Sequence, residues 1–198
     1  MSFYIGPGNG LELLGRQAVI SLSASINSEL ISVSNHWYTL DTELATLRGR
    51  TYASVSLESI SNDHIHLGHR PSLIQAPIDN YPNISCMAYR AVPDAEQLDH
   101  IDKFSANLYI ETMVKGTIEE GEELVNSRIE RTTESVVNVI ARDSDFGGNF
   151  FSLQRPPIVS IGDLFVRKEE KGRGPRFLWQ GSRLEYAVDI FVNPIRTW

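Results

Sequence analysis

At 198 residues and 22.2 kDa the chain is long enough for one domain with a sizeable core, or one domain with an extended arm, and too short for two full ones. A formal charge of −7 argues against a dedicated nucleic-acid grip, and a lone cysteine, Cys86, excludes an intramolecular disulfide and points to a reducing, intracellular setting. No basic leader with an apolar stretch and no run of about 18 apolar residues is present, so neither secretion nor a membrane span is expected.

The first ten residues carry turn chemistry in Gly6-Pro7-Gly8-Asn9-Gly10. From Leu11 the pattern becomes helical: Leu14, Ala18, Leu22, Ile26, Leu30, Val33, Trp37 and Leu40 recur at steps of three or four. The spacing predicts one helix over about 11–41, on the order of 45 Å long, more than a domain of this size needs for its own core. Its polar side ("SLSASINSELISVSN") is rich in Ser and Asn and poor in charge, a composition suited to contact with another chain. Residues 51–82 read as a long, irregular loop. Beyond it, "NISCMAYRAV" and "FSANLYIETMVKG" read as strands, the second with Ala106, Leu108, Ile110 and Val114 alternating with Asn107, Tyr109, Glu111 and Met113. A second helix follows, with Thr117 and Glu120 at capping-box spacing, Leu124, Val125, Ile129, Val136 and Ile140 on its apolar face, and Gly147-Gly148 as its stop. The remainder returns to strands, "DLFVRKEE" and "RFLWQGSRLEYAVDIFVN", with Leu184, Tyr186, Val188, Ile190 and Val192 on one face. The expected fold class is α+β: a small antiparallel sheet packed with two main helices, a long N-terminal helix and a long loop, residues 1–198 forming one domain with a sheet-and-helix core at about 83–193.

Candidate chemistry concentrates in "NDHIHLGHRP". His64, His66 and His69 beside Asp63 spell H-x-H-x-x-H, close to the start of the metallo-β-lactamase-like H-x-H-x-D-H, and His64 and His66 would share one face of an extended segment. That family places Asp where this chain has Gly68, so two readings stand: polar loop histidines, or a metal-dependent hydrolase built on Asp63, His64, His66 and His69. "GPGNG" before a helix lacks the G-K-[ST] of a phosphate loop, "DFGG" lacks the rest of a kinase, and no G-x-S-x-G elbow occurs. Glu119, Glu120, Glu122 and Glu123 are explained by a helix dipole that favours acids in its first turn. No catalytic constellation and no cofactor site is therefore expected. In "VRKEEKGRGPR", Arg167, Lys168, Lys171, Arg173 and Arg176 surround a predicted hairpin tip, either a solvated turn or a docking finger for an acidic partner.

The phrases "LELLGRQAVISL", "LGHRPSLIQAPIDNYPNISCMAYRA", "LYIETMVKG", "EELVNSRIERTTESVVNVIARD" and "FLWQGSRLEYAVDIFV", in this order, resemble the tail terminator (tail completion) proteins of tailed bacteriophages over roughly residues 10–193. The resemblance implies a structural virion subunit without catalytic residues or cofactor. It would assemble with itself as a ring of about six copies that caps the tail tube and meets the head-side connector or neck proteins. DNA would pass through the lumen without specific binding, and no membrane partner is implied. The place of action would be the tail and neck of the virion, after assembly in the host bacterial cytoplasm. Another phage connector, a head-completion or tail-tube subunit, is the neighbouring alternative.

Overall fold

The computed structural model describes residues 7–49, 55–68, 81–93, 103–144, 146, 151–162, 165–167 and 177–191. Helix α1 spans Pro7–Leu47, 41 residues or about 60 Å. It begins four residues earlier than the apolar period suggests, because Pro7 suits a first helical position and Gly8-Asn9-Gly10 continue the helix instead of turning. Leu14, Ala18, Leu22, Ile26 and Leu30 are all buried, and each step of four advances the buried stripe by about 40° around the helix. The stripe therefore winds from one neighbour to the next. Near Gly15, α1 lies over the sheet, where a β-carbon would meet Leu67 and the Ala88 backbone. At Asn27 the side-chain amide exchanges hydrogen bonds of 2.8 and 2.9 Å with the Ile60 backbone, holding residues 55–61. Leu40, expected on the buried stripe, is exposed, and Asp41 takes the inward place.

A 3₁₀ turn, Asn62–His64, leads into β1 (Ile65–Leu67), followed by β2 (Asn83–Pro93), β3 (Lys103–Thr117), α2 (Glu122–Arg142), β4 (Phe151–Leu153), β5 (Ile158–Ile161), β6 (Phe165–Arg167) and β7 (Phe177–Phe191). The strands form one sheet in the order β1-β2-β3-β7-β4, with β5 and β6 also paired to β7. The α+β class holds. The sheet is mixed, however, since β1 runs parallel to β2 inside the segment expected to be loop, while every other pairing is antiparallel.

Period-two alternation decides what each face carries. Phe104, Ala106, Leu108 and Ile110 of β3, Leu184, Tyr186, Val188 and Ile190 of β7, and Ile84 and Cys86 of β2 form the main core with α1 and α2. Met113 falls on the opposite face, packed with Tyr81 and Trp179, so this end of the sheet is covered on both sides. Val192 and the glycines expected to stop α2, Gly147 and Gly148, lie outside the described residues.

The start of α2 departs from expectation. Thr117 and Glu120 do make the reciprocal bonds of a capping box, Thr117 N–H to Glu120 Oε2 at 2.8 Å and Glu120 N–H to Thr117 Oγ1 at 3.3 Å. Those bonds close a turn at the end of β3, and the helix starts after Gly121, whose φ of 85° suits glycine.

Candidate functional site

The two described histidines of the cluster, His64 and His66, are not arranged as their spacing suggests. His64 ends the 3₁₀ turn, with its N–H bonded to the Ser61 carbonyl at 2.9 Å, while His66 lies in β1, so the two do not share one extended face. Asp63 is exposed in the turn, and His69 lies outside the described residues. Burial, reinforced by the nearby His64, pushes the His66 imidazole below its ordinary pKa and favours the neutral form. Among the described residues no group of three or more His, Cys, Asp or Glu side chains converges on a point that a metal could occupy.

The sheet brings His66 into a row that sequence spacing could not reveal. His66 faces Ser85, Ser85 faces Glu111, and Glu111 faces Arg183 across four neighbouring strands. Arg183 donates to Glu111 Oε1 at 2.9 Å from Nε and 2.5 Å from the terminal nitrogen, and its guanidinium lies 5.6 Å from the Tyr109 ring centroid. The Glu111 carboxylate raises the Arg183 pKa further. Serine stands between the histidine and the acid, whereas an acid that orients a general base adjoins the histidine itself, and buried Ser85 Oγ has no hydrogen-bond partner among the described residues. The row is a cross-strand polar ladder, not a nucleophile with its base.

A cleft of about 350 Å³ opens beside Arg128, lined by Glu58, Tyr81, Lys115, Glu120 and Phe177. Arg128 is committed within the fold. It donates to Glu120 Oε1 at 2.9 Å, to the Lys115 carbonyl at 2.6 Å and to the Ser56 carbonyl at 3.2 Å, pinning residues 55–61 against the entry to α2. Cys86 and Tyr186 are held neutral in the core by burial, which pushes the thiol up to about 12 and raises the phenol above its ordinary value.

The outward side of α1 is poor in charge and carries exposed apolar side chains. Between Arg16 and Asp41 the only charged residue of α1 is Glu29, which is 2% exposed; Ile20, Ile31 and Tyr38 are 57, 65 and 59% exposed. A shallow groove of about 370 Å³ runs from Gln17, Ile20 and Ala24 to Arg142 and Phe146 at the end of α2. The basic hairpin is described only at its root, where β6 pairs with β7 at Arg167↔Phe177; Lys168, Lys171, Arg173 and Arg176 lie outside the described residues. No described helix is long and apolar enough to cross a membrane. No protein-family model matches the sequence, and no curated protein does.

Proposed function

We propose that this chain is a structural subunit of a tailed-bacteriophage virion, a tail terminator that assembles with itself as a ring of about six copies. In that role it has no catalytic step. The ring caps the tail tube, meets the head-side neck, and lets DNA pass through an acidic lumen that offers few phosphate contacts. The observation that carries this reading is the outward side of α1, which runs uncharged from Gln17 to Leu40 with four large apolar side chains exposed, Ile20, Ile31, Tyr38 and Leu40. A solvated helix normally carries charge there, whereas a helix packed between subunits does not. The order of elements, which resembles that family, supports the same reading. The basic residues of the β6–β7 hairpin, Arg167, Lys168, Lys171, Arg173 and Arg176, are proposed to dock an acidic patch on a neighbouring ring.

The test is native mass spectrometry with negative-stain imaging of untagged protein, with bound metal measured on the same sample. A closed ring of about six 22.2 kDa chains is expected. A monomer at every concentration, with no ring in assembled particles, would overturn the proposal. Stoichiometric zinc lost on replacing His64 and His66 by Ala would support a hydrolase instead.

A further inference from the structure

Among the described residues strand β5 pairs only with β7, and its other edge is unguarded. All four of its residues are exposed, with Ile158 and Val159 at 50% and Ile161 at 44%. Exposed edges are normally blunted by a charge, a proline or a bulge. Ile158–Ile161 contains none of these; Pro156-Pro157 stop just short of it, and the nearest preceding charge is Arg155. The opposite edge is guarded, since β1 covers Ile84 to Cys86 and a register break between Tyr89 and Val92, with Arg90 at φ 57°, interrupts β2.

The phase of the β5 backbone follows from one bond. Gly162 N–H donates to the Gly181 carbonyl at 2.9 Å, so the alternate residues Ser160 and Ile158 turn their N–H and C=O toward β7. Val159 and Ile161 turn theirs outward, where only an extended strand can satisfy them in series. We propose that this strand is β5 of a second copy, antiparallel, about a two-fold axis through Ser160. Val159 of each copy then exchanges both backbone bonds with Ile161 of the other. The side chains of these two residues meet on the helix-bearing face, and Ile158 covers Gly162 on the other face. All three exposed aliphatic residues are covered at once. Of the two next registers of the same parity, one places Pro157, which has no N–H, opposite Ile161, the other places the charged Asp163 opposite Val159, and an odd shift sends the side chains to opposite faces.

A contact four residues long buries less than the roughly 1,200 Å² of a standard interface, so the pairing is concentration-dependent. It is isologous and joins two chains, whereas a ring closes through heterologous contacts, so the inference does not rest on the ring.

The test uses Ser160→Cys in the full chain, whose only other cysteine, Cys86, is buried. On the axis, two residues at position 160 form a non-hydrogen-bonded pair with Cα atoms about 4.5 Å apart, within disulfide reach. Under mild oxidation S160C is expected to form a disulfide dimer about tenfold faster than Ile158→Cys, whose sulfurs stand four residues out of register. Adding Ile161→Pro, which removes only an outward N–H, is expected to suppress that cross-link about tenfold with an unchanged thermal melt. If I161P fails to fold, Val159→Lys, which keeps every N–H, gives the same readout. Equal rates for S160C and I158C, or a cross-link indifferent to I161P or V159K in folded protein, would overturn the inference. Native mass of the same samples reads the ring separately: a ring persisting while the cross-link is lost supports the self-pairing edge, and a ring with equal cross-linking at both positions overturns it.

Discussion

Gly116 sits where β3 passes beneath α2, and a β-carbon there would stand 2.3 Å from Val125 Cγ2 and 3.0 Å from Glu120 Oε2. Val125 is fully buried and Glu120 is held by Arg128, so neither neighbour can move aside cheaply. Gly116→Ala is expected to cost about 2–3 kcal/mol in urea unfolding. Gly15→Ala meets the end of the Leu67 side chain at 2.8 Å and the Ala88 backbone nitrogen at an ordinary 3.8 Å, in a helix that favours alanine, and should change stability by less than about 1 kcal/mol. Glu120 gives a pH prediction. The hydrogen bond from Arg128 holds its carboxyl below the ordinary glutamate range against the opposing effect of burial, with the Thr117 N–H adding to the depression. A depressed folded-state pKa contributes stability that is complete at neutral pH and is lost as pH falls through the depressed value. Glu120→Gln should therefore be less stable than the parent at pH 7, and the difference should shrink in denaturant titrations taken from about pH 5 down to about pH 2. The Thr117–Glu120 spacing was legible as a reciprocal pair because both partners are local. That it closes a turn ahead of α2 was not, because a left-handed Gly121 can begin a helix as readily as it can end a turn.

At the scale of elements, α1 and α2 run antiparallel and are joined by a polar seam. Ser21 bonds to Asp143; Glu29 accepts from Asn138 at 2.8 Å and pairs with Arg142 at 2.5 Å; Trp37 donates to Glu134 at 2.6 Å; and Asp41 pairs with Arg131 at 2.6 Å. Arg131 also lies 5.0 Å from the Trp37 ring centroid. With side-chain exposures of 7 and 12%, Arg131 and Asp41 form a largely desolvated pair, and removing one partner of such a pair is costly. Asp41→Ala is expected to lower stability by about 3 kcal/mol in chemical unfolding, and Asp41→Asn, which keeps an acceptor, by less. Both helices were legible from period and composition, but this seam was not: the polar side of α1 was read as suited to contact with another chain, and the partners it finds on α2 lie 90 to 122 residues away in sequence. A signal was available: Glu29 falls three residues after Ile26 and four before Val33, within the apolar stripe, where an acid needs a partner.

For the whole molecule, the order of the two helices with β2, β3 and β7 was legible because these antiparallel strands are long, whereas β4 and β5, three and four residues long, were not read as strands. Residues 65–67 were not recognised as a strand because three residues carry no period and their parallel partner lies well downstream. The cross-strand row from His66 to Arg183 was hidden for the same reason, since register is a property of pairing and not of any one segment. The uncharged side of α1 was visible in composition, whereas the open edge at β5 required knowing which strands have two neighbours. Strand β7 pairs with β3 along 15 residues on one side and with β4, β5 and β6 on the other. Until the ribosome has delivered it, these three short strands lack the neighbour they pair with here, and contacts such as Lys103 to Asp189, 86 residues apart, cannot form. The sheet is thus completed only once β7 has been made, by slow non-local pairing, while "IVSI" is exposed to every other nascent copy nearby.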